Sequence, residues 1–131
     1  MTINLSNRVA IVTGAGAGLG REHALLLARL GAKVVVNDLG SDVNGKGGST
    51  MAAQKVVDEI IAAGGEAMAN GASVTDIEQV QQMVDETIAR WGRVDILINN
   101  AGILRDKTFS KMSLDDFRTV IDVHLMGAVN C

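Results

Sequence analysis

Residues Thr13 to Gly20 read TGAGAGLG, four glycines within eight residues immediately after an apolar run. A strand that turns through glycines into a helix N-terminus is an anion site. The first N–H groups of the helix have no intrahelical partner, and the helix dipole favours negative charge there. Glycine also lets the backbone approach a diphosphate without a Cβ in between. The spacing is not G-x-G-x-x-G: counted from Gly14 the third glycine falls at Leu19, and from Gly16 it falls at Arg21. Nor is it a nucleotide-hydrolase phosphate loop, because Gly20 is followed by Arg21 and Glu22 rather than Lys and Ser/Thr.

Two spacings remain. Gly14, Gly16 and Gly18 fit the G-x-G-x-G of S-adenosylmethionine methyltransferases, and Thr13, Gly14, Gly18 and Gly20 fit T-G-x-x-x-G-x-G. The loop alone leaves both open. Two distant segments add weight. Asp38 ends the apolar run KVVVND, where a carboxylate can accept bonds from both ribose hydroxyls of an adenosine. Asn99 to Gly102, NNAG, ends the run RVDILINN at the carboxyl edge where open sheets bind ligands. A methyltransferase accounts for the glycines and Asp38 but gives NNAG no role.

The elements that carry these residues alternate. Arg8 to Thr13 and Lys33 to Asp38 read as buried strands, with GGEAMAN and RVDILINN as the third and fourth. The helix LGREHALLLARLG ends at Gly31 as a C-cap, and a second helix runs from about Thr50 to Ala63 with Ala52, Val56 and Ile60 on one face. Thr75 and Glu78 make a capping-box pattern before a helix whose inward side is Ile77, Val80, Val84, Ile88 and Trp91. Ser113 and Asp116 open a last helix that continues to the end of the chain. The expected fold is α/β, a doubly wound parallel, Rossmann-like sheet of four strands and four helices, forming one domain over residues 1–131.

Composition narrows the function classes. A net charge of −3 without a long basic block argues against nucleic acid or anionic membrane as partner. No apolar run is long enough to span a bilayer, and no signal core precedes a cleavage site. One cysteine, Cys131, cannot form an internal disulfide, which fits a reducing, cytoplasmic setting. Asp85, Glu86, Asp115 and Asp116 read as solvated or capping positions, and His23 and Arg21 as a solvated helix face with Arg21 near the loop. No metal is expected.

With T-G-x-x-x-G-x-G and N-N-A-G at the ends of the first and fourth strands, the sequence resembles the short-chain dehydrogenase/reductase family along its whole length. The resemblance implies a nicotinamide cofactor and hydride transfer to or from a hydroxy or keto substrate. It implies that Gly14, Gly18 and Gly20 shape the diphosphate loop and that Leu19 lies near the phosphates and nicotinamide. Asn100, Ala101 and Gly102 would line the cofactor, while Asn99 would tie strands together. Ser73 and Val74 stand where many relatives begin with Asp and bond the adenine amine, leaving Ser73 one acceptor.

NAD is expected over NADP. The positions where relatives place a cation for the 2′-phosphate hold Ala17 and Leu39, and Asp38 repels that phosphate; Lys46 in the next loop is the competing cation. The loop after Asp38, with NNAGILRDKTF and VHLMG, is similar to the (3R)-hydroxyacyl-CoA dehydrogenase branch of the family, implying a 3-hydroxyacyl-CoA substrate. His124 occupies the Asn of the family's V-N-L-x-G, where it would hold a water or join a proton relay; the plainer alternative packs it against Phe117, Val120 and Ile121. The family's Ser, Tyr and Lys lie beyond Cys131, and the chain contains no tyrosine. It is therefore expected to be the cofactor-binding half of a larger, homo-oligomeric enzyme, with a non-catalytic dinucleotide-binding piece as the alternative.

Overall fold

The computed structural model describes residues 2–40 and 50–131. Four parallel strands form one sheet: β1 (Val9–Val12), β2 (Lys33–Asn37), β3 (Ala67–Asn70) and β4 (Ile96–Ile98), in the order β3-β2-β1-β4. Helices α1 (Gly18–Arg29), α2 (Met51–Ala62) and α3 (Ile77–Trp91) connect them. After β4 come a short 3-10 turn (Phe109–Lys111) and a continuous helical run. That run comprises α4 (Leu114–Ile121), a π-helical stretch (Asp122–Met126) and α5 (Gly127–Asn130). The doubly wound architecture is the expected one.

β1 and β2 are buried on both faces, which is why they are uninterrupted apolar runs. Alternate side chains of β2 go opposite ways. Val34 and Val36 join Ala24, Val56 and Ile60 beneath α1 and α2, while Val35 joins Ile11, Val80 and Met83 beneath α3. Gly31, at φ +104°, turns the chain after α1, and the cap residue itself is Leu30.

α3 differs from expectation in two respects. Its cap is Asp76, whose carboxylate accepts from the amides of Glu78 and Gln79, in place of Thr75. Its buried residues are Val80, Met83 and Thr87, the expected Val84 and Trp91 pack partly buried against the same cluster, and Ile77 and Ile88 are exposed. Thr87 belongs inside because its hydroxyl donates to Met83 O at 2.7 Å, so its polar atom is satisfied within the helix. An apolar-only stripe passes over such a residue. The Ser113 cap is as expected, its Oγ accepting from Asp116 N at 3.1 Å.

Two polar ties close the sheet at opposite ends. At the amino end of β4, Asp95 accepts from Val9 N at 2.9 Å and from the Arg93 guanidinium, with Arg8 at 3.4 Å. The Arg93 hydrogen bonds, then the Val9 amide, lower the Asp95 carboxyl to about 2. At the carboxyl end of β2, the buried Asn37 donates through Nδ2 to Asn70 Oδ1 and Ala72 O, at 3.0 and 2.9 Å.

A lowered folded-state carboxyl stabilises above the unfolded value and loses that contribution as pH falls through the folded value. Asp95→Asn is therefore expected to unfold more readily than wild type at pH 7, with the gap closing between about pH 4 and pH 2 in urea titrations. An unchanged gap over that range contradicts the assignment. Asn37→Ala leaves Ala72 O without its donor and is expected to cost about 1–3 kcal/mol in the same measurement.

Candidate functional site

The carboxyl ends of β1 and β4 are stitched by one hydroxyl and one amide. Thr13 Oγ1 accepts from the amides of Asn100 and Ala101 at 3.1 and 3.0 Å, and Thr13 N donates to Ile98 O at 3.1 Å. Asn100 Nδ2 donates to both Thr13 O and Gly14 O at 3.0 Å. NNAG thereby lies against the glycine turn. The tie between strands is made by Asn100 and not, as expected, by Asn99, which is exposed.

Space dictates three of the glycines. Gly14 adopts φ +63°, and a Cβ on it would sit 2.9 Å from Ala101 Cα. A Cβ on Gly16 would sit 2.7 Å from Asp38 Oδ2, and one on Gly20 would meet Gly14 O. Gly18 differs: its φ of +57° demands glycine, yet nothing lies within 4 Å of its missing Cβ. α1 begins there with Ala17 extended at its N-cap and no side chain capping its amides. Gly18 and Leu19 at this helix start are exposed, and Gly20 is buried.

Asp38 stands beside this turn, held at both oxygens. Gly16 N donates to Oδ2 at 2.9 Å and Gly40 N donates to Oδ1 at 2.8 Å. A carboxylate has about four acceptor positions, so each oxygen keeps one for a ligand. Gly16, which the T-G-x-x-x-G-x-G spacing skips, is thus the residue that lets the loop reach Asp38.

A cleft of about 430 Å³ opens between these strand ends, within the range of small-molecule sites. Gly14, Asp38, Leu39, Ser73, Val74, Asn100, Ala101 and Gly102 all border it. Ser73 Oγ is 2.8 Å from Thr75 Oγ1, and Ser73 N donates to Gln79 Oε1, so that wall is pre-formed. Asn130 Nδ2 donates to Val74 O at 2.9 Å, tying the last helix to the same wall. Nothing in the sequence reading singled out Asn130, because the contact spans 56 positions. A larger cleft, about 570 Å³, lies at the amino end of the sheet between Leu25, Arg29, Lys33, Ile60 and Glu66, away from the glycine loop.

His124 reaches this region too. Its Nε2 lies 2.9 Å from Ile103 O and 3.0 Å from Ile103 N, and its Cε1 occupies the space where a Cβ on Gly102 would be. The ring is exposed and latched to backbone rather than packed on its own helix face. Arg21 is held by Glu22 and Glu59, at 2.6 and 2.5 Å, and so bridges α1 to α2. Lys46 lies outside the described residues.

An uncapped helix start behind three close-packed glycines, with a carboxylate one strand over, fits the diphosphate and ribose of a dinucleotide. Among the described residues, no helix is long and apolar enough to cross a membrane.

The short chain dehydrogenase family model matches residues 8–131. The chain is 57% identical over 129 residues to peroxisomal multifunctional enzyme type 2 of Drosophila melanogaster, covering 98% of this chain and 21% of that protein. A crystal structure of a short chain dehydrogenase from Mycobacterium avium superposes with a TM-score of 0.86 at 50% identity, over 96% of this chain and 44% of that one. A 7α-hydroxysteroid dehydrogenase complexed with NADH and 7-oxo glycochenodeoxycholic acid superposes with a TM-score of 0.87 at 37% identity, over 98% and 47%. The chain thus spans less than half the length of these relatives, and its glycine loop, acidic strand end and NNAG segment agree with the match: it belongs to the short-chain dehydrogenase/reductase family of oxidoreductases.

Proposed function

We propose that the chain binds NAD and forms the cofactor-holding part of an enzyme that moves a hydride between NAD and a 3-hydroxyacyl-CoA. The observation that carries the cofactor reading is Asp38, fixed by the Gly16 and Gly40 amides with acceptor capacity turned to the cleft. When bound, a nicotinamide cofactor supplies a two-electron hydride acceptor or donor. The amides of Gly18, Leu19 and Gly20 bind the diphosphate, and Asp38 orients the adenosine ribose. Ser73 and Val74 receive the adenine, and Asn100, Ala101 and Gly102 close the opposite wall. Asp38 also disfavours a 2′-phosphate by like charge, and Ala17 and Leu39 offer it no cation.

The substrate reading rests on similarity to the Drosophila multifunctional enzyme, and that protein's name places it in peroxisomes. For this chain the lone thiol supports a reducing, cytoplasmic setting. The partners proposed are a small-molecule substrate and a second copy of the chain, with no nucleic acid or membrane. Exposed apolar residues of the last helix, Phe117, Ile121, Leu125 and Val129, support association. The second reading, a dinucleotide-binding piece without its own chemistry, is favoured by one fact: these residues include no tyrosine to exchange the proton.

Fluorescence titration is expected to give NADH the tighter binding over NADPH, by on the order of tenfold or about 1.4 kcal/mol. Asp38→Ala is expected to narrow that ratio. Tighter NADPH binding by wild type overturns the cofactor assignment. Incubated with NAD and a 3-hydroxyacyl-CoA, the 131 residues alone are expected to form no NADH; a robust rate contradicts the role given to the missing tyrosine.

A further inference from the structure

His124 lies in the π-helical stretch Asp122–Met126, and one ring nitrogen faces two backbone groups of the same residue. Ile103 presents both its N–H and its C=O to Nε2, at 3.0 and 2.9 Å. A single nitrogen cannot serve both. With its proton on Nδ1, the neutral ring accepts from Ile103 N–H; once protonated, Nε2–H can only donate, and only the carbonyl can receive it. An asparagine amide would serve both groups at once, because its oxygen and its NH2 are separate atoms.

We propose that His124 is a positioning residue that rests as the Nδ1–H tautomer and whose protonation moves the latch from the Ile103 amide to the Ile103 carbonyl and loosens the wall of the cofactor cleft. The effect on cofactor rests on the reading of that cleft given above; the exchange of bonds does not. Gly102 and Ile103 both border the cleft, and a protonated Nε2–H would face the Ile103 N–H donor at 3.0 Å, so the amide must turn away and disturb that wall. The ring is exposed, hence open to solvent protons.

The recess beside His124 is lined by Thr13, Val74, Asn99 and Ala101, all uncharged. Among the charged groups on nearby elements, Asp38 is held by two amides and Arg105 and Lys107 pair with Asp116, while Asp122, two residues before His124, borders the main cleft. His124 makes no ion pair among the described residues.

The test is a pH series from about 5 to 8, where histidine titrates, read by two-dimensional NMR and by NADH titration on wild type and His124→Asn. In wild type the Ile103 amide proton is expected to move upfield as pH falls, with the midpoint of the His124 ring signals, while NADH binding weakens several-fold in step. In His124→Asn both are expected to stay flat. A wild-type Ile103 amide that ignores the His124 titration overturns the exchange, and NADH affinity flat with pH overturns its reach to the cleft. If NADH binds neither protein while Ile103 still tracks His124, the cofactor reading fails and the exchange of bonds stands.

Discussion

Parallel strands that stop side by side leave backbone donors and acceptors at their carboxyl ends with no ladder to continue. Buried groups of that kind must find partners. Here Thr13 and Asn100 supply them, the hydroxyl accepting two amides of the β4 end and the amide capping two carbonyls of the β1 end. Everything at the site follows from this stitch. It brings Ala101 so close to Gly14 that only glycine fits, and it turns the first strand out to the start of α1. That helix start is exposed at Gly18 and Leu19 and buried at Gly20.

The second constraint is the approach of the glycine turn to β2. Gly16 lies against the Asp38 carboxylate with no room for a Cβ, so a charged group at a strand end is fixed by main-chain donors before any ligand arrives. Fixing it in advance reduces the ordering cost of binding a ribose. The same two amides spread the negative charge without neutralising it, so the site still repels a group of like charge placed beside it.

The sheet was legible because β1 and β2 are buried on both faces and so read as continuous apolar runs between glycines. The glycine loop, Asp38 and NNAG were legible because each sits at a strand end, and strand ends can be read from local pattern. What stayed hidden depends on pairs far apart in the chain. Asn100 and Asn99 look alike until β4 pairs with β1, and pairing decides which amide points at Thr13. Asn37, a polar residue in a buried strand, gives no local sign that Asn70 and Ala72 will satisfy it. Thr87 escapes an apolar-only stripe because a self-satisfied hydroxyl behaves as an apolar group.

In the proposed complex, helix-start amides beside β1 hold a dinucleotide's diphosphate while Asp38, one strand over, holds its ribose. The most direct measurement is a crystal structure of the protein soaked with NAD. Phosphate oxygens are expected against the amides of Gly18 to Gly20, with two ribose hydroxyls on Asp38. Ordered NAD in the larger cleft between Arg29, Lys33 and Glu66, with the glycine loop bare, would contradict it.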